Sequence, residues 1–182
     1  MMPALFHEKK GEFKMAFEKK DVREIEKNVF RMISDEWMLV TAQKDGKVNT
    51  MTASWGGLGV LWGKEVATLY IRPQRYTKEF IDAGEMFTLS FFGGGHMKEL
   101  GYLGKVSGRD EDKIKAVDFH VEMVEGQPTF AESELVLVCR KLYEDKIKPE
   151  FFKAAEIDEK WYPDKDYHTM YIAEITGAYV KK

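Results

Sequence analysis

Apolar and polar positions along the chain follow two periods. Over "DVREIEKNVFRMI" (21–33), Val22, Ile25, Val29 and Ile33 recur three and four residues apart behind Asp21, a side chain suited to an N-cap. That spacing predicts a helix over 21–33. "WMLVTAQ" (37–43) is an apolar run of strand length, "KDGK" (44–47) is a hairpin turn and "VNTMTASW" (48–55) is the returning strand. A third strand is predicted at "VATLYIR" (66–72) and a helix at "QRYTKEFIDAG" (74–84), with Gly84 at its C-cap. "MFTLSFF" (86–92) reads as a fourth strand. Phe91 and Phe92 are neighbours in it, so one of them faces away from the core, toward a ligand, a helix or a partner subunit. After the glycines 93–95 comes a short helix near "HMKELGYLG", then a compact "SGRDEDK" (107–113) and a helical turn. Strands are expected at 119–125, 134–146 and 167–180, with a helix at 149–157 between the last two.

Strands dominate, and helices interrupt them singly rather than alternating with them. The pattern predicts a mainly β (α+β) fold, an antiparallel barrel with helical insertions, and argues against a doubly wound parallel sheet. A single domain over 1–182 is expected, with a helical N-terminal extension (1–35) preceding the barrel (36–180).

Composition narrows the function. The chain has 182 residues, 44% hydrophobic and 32% charged, as in a soluble globular protein. Its net charge of −3 lacks the basic excess of a nucleic-acid binder. "MMPALFHEKKGEFK" turns charged too early for a signal peptide, and no run has the length of a membrane helix. The one cysteine, Cys139, rules out an intrachain disulfide and fits a reducing cytoplasm. It lies in the apolar run "LVLVCRKL" and reads as a buried structural thiol.

Familiar catalytic signatures are missing. Ser54 has Gly56 two residues on but Thr52 two before, so no nucleophile elbow forms. No phosphate loop, dinucleotide fingerprint or His-Glu-x-x-His is present. The four histidines have no close His or Cys neighbours, so no metal site is expected. What remains is "RPQRYT" between a strand and a helix. Arg72, Arg75, Tyr76 and Thr77 bring guanidinium forks, hydroxyls and helix-start N–H groups within six residues. These groups suit a phosphate monoester. The competing reading has both arginines solvated or paired with acids. The uncharged, glycine-rich stretch 48–63 suits either contact with a flat ligand or a plain β-hairpin.

In their order, "WMLVTA", "NTMTASWGGLG", "LYIRPQRYTKEFI", "FTLSFF", "SGRDEDK" and "DYHTMYIAEI" resemble the flavin reductase-like, FMN-binding split-barrel family, in particular its flavoredoxin-like branch. The resemblance covers about residues 37–177. It implies a six-stranded antiparallel split barrel with Greek-key character, normally a homodimer, with FMN near the subunit interface. Members reduce flavin with a nicotinamide, NADH or NADPH, or carry electrons on bound FMN to a redox partner protein. By the same resemblance Thr52, Ala53, Ser54 and Trp55 lie along the flavin, and Ser90, Phe91 and Phe92 touch it. An ordinary barrel aromatic is the other reading of Trp55. Lys105, Ser107 and Arg109 reach the phosphate or ribityl chain; alternatively, Asp110 caps a helix while Arg109 and Lys113 pair with acids. His168 is the one residue the resemblance assigns to the reaction, by the flavin or the nicotinamide; away from the arginine cluster in sequence, it would tune the reaction rather than hold the cofactor, and need not be an acid or base because hydride transfer needs positioning above all. The other reading of this lone histidine at a strand start is structural or exposed.

Overall fold

A computed structural model describes residues 16–182. In chain order its strands and helices are β1 (Phe17–Lys20), α1 (Val29–Ser34), β2 (Met38–Lys44), β3 (Lys47–Ala53), β4 (Gly56–Leu61), β5 (Lys64–Ile71), α2 (Tyr76–Ala83), β6 (Met86–Phe91), α3 (Met97–Lys105), α4 (Lys113–Ala116), β7 (Val121–Val124), β8 (Gln127–Phe130), β9 (Leu135–Lys146), α5 (Ala155–Trp161) and β10 (Thr169–Lys181). Three hairpins share one turn geometry. Asp45–Gly46, Trp62–Gly63 and Glu125–Gly126 all have positive φ at both positions, the type I′ pattern that matches strand twist.

The main sheet is antiparallel, in the order β3-β2-β6-β9-β10-β5-β4, with β1 added beside β10. β3 and β4 end the path, so the paired strands do not close on themselves. β9 and β10 are the longest strands, and register shifts at Ile172/Ala173 and Ile175/Gly177 bend their pairing. β7 and β8 form a separate hairpin.

Both faces of the central strands are covered. Leu135, Leu137 and Cys139 of β9 enter the main core, while Val136 and Val138 pack with Phe17, Val124 and Tyr179 on the other side. The Cys139 thiol is fully buried, and burial raises its pKa well above the usual value. Phe91 and Phe92 also divide as alternation requires. Phe91 joins the main core, and Phe92 packs with Leu39, Leu100, Leu103, Phe119 and Phe130 in a satellite core under α3 and α4.

The helix expected over 21–33 is broken. Asp21 caps a single 3-10 turn, Val22–Glu24, and Asn28 restarts the chain as the N-cap of α1, accepting from the Arg31 N–H at 3.1 Å. Val22, Ile25 and Val29 still pack on the main core, so the apolar spacing reported burial rather than one continuous helix. The helix expected at 149–157 becomes a 3-10 turn, Pro149–Phe151, followed by α5. Three strands, β1, β4 and β8, were not anticipated. Residues 1–15 of the expected N-terminal extension lie outside the described residues. No helix among the described residues is long and apolar enough to cross a membrane.

The satellite core fixes the helices that border the site. Phe92→Ala should therefore destabilise the protein by about 3–5 kcal/mol. Urea unfolding followed by circular dichroism measures it, and a loss under about 1 kcal/mol would show that this cluster is not rigidly packed.

Candidate active site

Two cavities meet at the C-terminal end of β5. The larger, about 450 Å³, is bounded by the end of β3 and the turn after it (Met51 to Trp55), by Tyr70 and Arg72 at the end of β5, and by Arg75, Trp161 and His168. The smaller, about 180 Å³, lies between the start of α2 and the end of α3, with Arg75, Thr77, Lys105, Ser107 and Lys113 in its wall. Arg75 lines both.

The two arginines of "RPQRYT" have different fates. Pro73 stops β5 and sends the chain into the turn from which α2 starts. Arg72 forms an ion pair with Asp166, donates to the Trp161 carbonyl at 2.8 Å and lies 5.2 Å from the centre of the Tyr162 ring. Hydrogen bonding from Gln74, opposed by burial and joined by Arg72, holds the Asp166 carboxyl below its usual range. Arg72 is thus a clamp between β5 and the segment leading to β10. Arg75 is the N-cap residue of α2, and its guanidinium donates to the Gly104 carbonyl at 2.7 Å. Among the described residues no carboxylate pairs with it, and burial lowers its pKa from the ordinary value.

A second cation faces the same cavity. Lys113 at the start of α4 is buried, and its ammonium donates to the carbonyls of Leu103 and Val106 at 2.7 and 2.9 Å. Burial, with Arg75 nearby, pushes it down to about 8. Thr77 is buried beside them, its hydroxyl accepting from the Asn49 amide at 2.9 Å. Gly108 packs on the Asn49 side chain so closely that any Cβ there would collide with the amide oxygen. Ser107 and the exposed Lys105 complete the rim.

Arg109 is elsewhere engaged. It pairs with Glu79, donates to the Gln74 carbonyl at 3.3 Å and lies 4.6 Å from the centre of the Tyr76 ring. Of the two readings of "SGRDEDK", pairing with an acid holds for Arg109. Lys113 binds carbonyls instead, and the cap of α4 is Asp112 rather than Asp110.

On the larger cleft, Thr52 donates to the Leu100 carbonyl at 2.5 Å, and Ala53 is buried beneath Ser54 and Trp55. Trp55 stands at the rim, 5.0 Å from both Trp161 and His168 by ring centres. His168 is buried; its Nδ1 and the Tyr162 hydroxyl are 2.8 Å apart. Burial, reinforced by Arg72, pushes the imidazole down to about 4, so it is neutral at physiological pH.

The family model described as flavin reductase like domain matches residues 30–182. The chain belongs to this flavin reductase-like family. Among solved structures, it is similar to an FMN-binding domain of a flavin reductases-like enzyme from Shewanella baltica (19% identity, 91% of this chain and 77% of that one, TM-score 0.66). A flavoredoxin from Methanosarcina acetivorans is 25% identical over 81% of this chain and 69% of its own, with a TM-score of 0.62. A flavoredoxin of Desulfovibrio vulgaris is 21% identical over 80% and 69%, with a TM-score of 0.63. No curated protein matches.

Within this flavin reductase-like chain, Thr52 to Trp55, Arg72, Arg75 and His168 come together on the larger cleft, and Arg75, Tyr76, Thr77, Lys105 and Ser107 on the smaller cavity. Ser90, Phe91 and Phe92 do not join them. Ser90 is buried against Thr129 at 2.9 Å, and the two phenylalanines fill the two cores. Sequence reasoning missed Asn49, Lys113 and Trp161 as site residues. Asn49 was findable as a polar residue among strand positions; Trp161 lay beyond any periodic signal.

The His168 shift has a pH consequence. The unfolded chain takes up a proton near 6.5 that the folded chain refuses until about 4. Neutral His168 therefore favours the fold above 6.5, and the advantage is lost as pH falls toward 4. The melting temperature of wild type minus that of His168→Gln should decline over this window and level off below it. A pH-independent difference would show that His168 titrates normally.

Proposed function

We propose that this chain is an FMN-binding oxidoreductase of the flavin reductase type, passing electrons from a nicotinamide, NADH or NADPH, to bound or free flavin. The observation that carries it is Arg75, a half-buried cation with no carboxylate partner among the described residues, at the seam of two cavities of unlike character. The smaller cavity is polar and cationic, the donor set a terminal phosphate asks for. The larger is open, rimmed by Trp55 and Trp161, and of a size for a planar ring. FMN fits this pair: phosphate toward Arg75, the α2 start at Tyr76 and Thr77, Lys105 and Ser107; ring toward Thr52, Ala53, Ser54 and Trp55. When bound, FMN supplies reversible two-electron redox chemistry.

The protein's own residues bind and orient. The Gly104 carbonyl aims the Arg75 guanidinium, and Asn49 leaves the Thr77 hydroxyl proton free to donate. Arg72, neutralised by Asp166, holds the segment that carries Trp161 and Tyr162. His168, uncharged and fixed by Tyr162, tunes the reaction as a neutral polar group. The openness of the larger cleft leaves room for a nicotinamide beside the ring.

The antiparallel path, with two long bent strands shared by both halves, supports the reading as a six-stranded split barrel on which β1, β4 and the β7–β8 hairpin are additions. Val60 and Trp62, on the edge strand β4 and its turn, are 70% and 59% exposed, which supports a homodimer. One domain over 1–182, reading 1–35 as an extension, and a cytoplasmic setting consistent with the single buried thiol complete the proposal.

Reconstituting the purified protein with FMN and FAD together, then releasing the bound flavin by heat, should yield FMN at one per chain. Stoichiometric FAD, or no flavin, would overturn the reading. Rapid NAD(P)H oxidation with added flavin is expected of the reductase. Tight FMN, with turnover only when a redox partner protein is added, would instead mark an electron carrier.

A further inference from the structure

We infer that Trp161 is a gate on the larger cleft: a flap with a pinned backbone and a loosely held indole that sets how fast a flavin ring enters and leaves. The inference rests on the FMN reading above and deepens it, because the exchange rate separates a flavin kept as a cofactor from one passed through as a substrate. Trp55 and Trp161 reach the cleft from different walls, one from the turn after β3, the other from the connection between β9 and β10. Their rings meet edge to face, with centres 5.0 Å apart and planes at 84°. The contact bridges the rim beside Thr52 to Trp55, the stretch along which the ring is proposed to lie.

The backbone at Trp161 is fixed. Its carbonyl accepts from the Arg72 guanidinium at 2.8 Å, and Arg72 is itself paired with Asp166. The next residue, Tyr162, is 3% exposed, and its hydroxyl lies 2.8 Å from His168 Nδ1. Tyr162 also packs against Phe152 and Tyr167, with ring centres 5.9 and 4.8 Å away. Both ends of the arch that carries α5 therefore meet at one aromatic neck. Beyond the neck the fastening is slight. α5 buries none of its residues, and its N-cap residue, Ala154, makes no side-chain cap bond. The Trp161 indole is 42% exposed. Its aromatic neighbour is Trp55, and the Lys160 ammonium lies 5.0 Å from its ring centre. An edge-to-face pair adds only modestly to what burial supplies, so the indole can turn away from Trp55 while its backbone stays in place. It narrows the mouth whether the cleft is empty or full, and so slows entry and exit alike.

Stopped-flow flavin fluorescence measures the association of FMN and of riboflavin with the flavin-free protein, and dilution of the complexes measures dissociation. Trp161→Ala should raise both rate constants by about two- to tenfold, the worth of one aromatic pair, and change the dissociation constant by less than about threefold. Riboflavin should respond as FMN does, because the gate acts on the ring and the phosphate is held elsewhere. Trp161→Phe, which keeps an aromatic edge, should restore most of the wild-type rates. A rise in dissociation alone would make Trp161 a binding contact and overturn the gate while the flavin reading stands. Unchanged rates, or an effect confined to FMN, overturn it equally. If neither flavin binds the wild type, both readings fall. Should Trp161→Ala fail to fold, Trp161→Phe and Trp161→Leu decide the matter: the aromatic variant should exchange flavin slowly and the aliphatic one fast, and equal rates overturn the gate.

Discussion

Burying a positive charge without a counter-ion is costly, and the site in this protein is organised around that constraint. Arg75 and Lys113 lie in one cavity wall, and their hydrogen-bond partners among the described residues are backbone carbonyls: Gly104 for the first, Leu103 and Val106 for the second. Removing an ion from water costs several kcal/mol even after relaxation, and neutral carbonyls recover only part of it. On the proposed reading, an anionic ligand would recover the rest. The contrast with Arg72 is instructive. Its partner Asp166 makes it a structural tie, whereas Arg75 has no such partner among the described residues, as the proposed phosphate role requires.

The surrounding fold serves to hold those carbonyls in place. The satellite core of Leu39, Phe92, Leu100, Leu103, Phe119 and Phe130 seats α3 and α4 against β2, so the end of α3 stays opposite the start of α2. Thr52 ties β3 to the Leu100 carbonyl, and Gly108 fits against Asn49, whose amide reaches Thr77. One set of contacts thus joins the strand beneath the larger cleft to the helix start at the smaller one.

Much of this was legible in the sequence, and the misses have physical reasons. The strand–proline–helix junction at 66–84 and the Asp45–Gly46 hairpin were plain because their signals are local. Trp62–Gly63 and Glu125–Gly126 make the same turn without an Asn or Asp in the first position, so the strands they join, β4 and β8, stayed hidden. The helix expected over 21–33 failed because Asn28 offers a competing cap, while its apolar residues still pack on the core. The concentration of cations and hydroxyls in "RPQRYT" was visible, but the division of labour between its arginines was not, because Asp166 and Gly104 are distant in sequence. Lys113 entered only as a cation that pairs with an acid; the packing of α4 reveals instead that it is buried and bonded to carbonyls.

The most direct measurement of the central claim is the affinity of FMN and riboflavin for wild type, Arg72→Ala and Arg75→Ala, with melting temperatures alongside. A charge-assisted hydrogen bond is worth about 1.5–3 kcal/mol. Arg75→Ala should therefore weaken FMN by about ten- to a hundredfold and leave riboflavin nearly unchanged. Arg72→Ala should lower the melting temperature and affect the two ligands alike. If Arg75→Ala binds FMN as tightly as the wild type, or loses FMN and riboflavin equally, the buried guanidinium is not a phosphate receptor and the account fails.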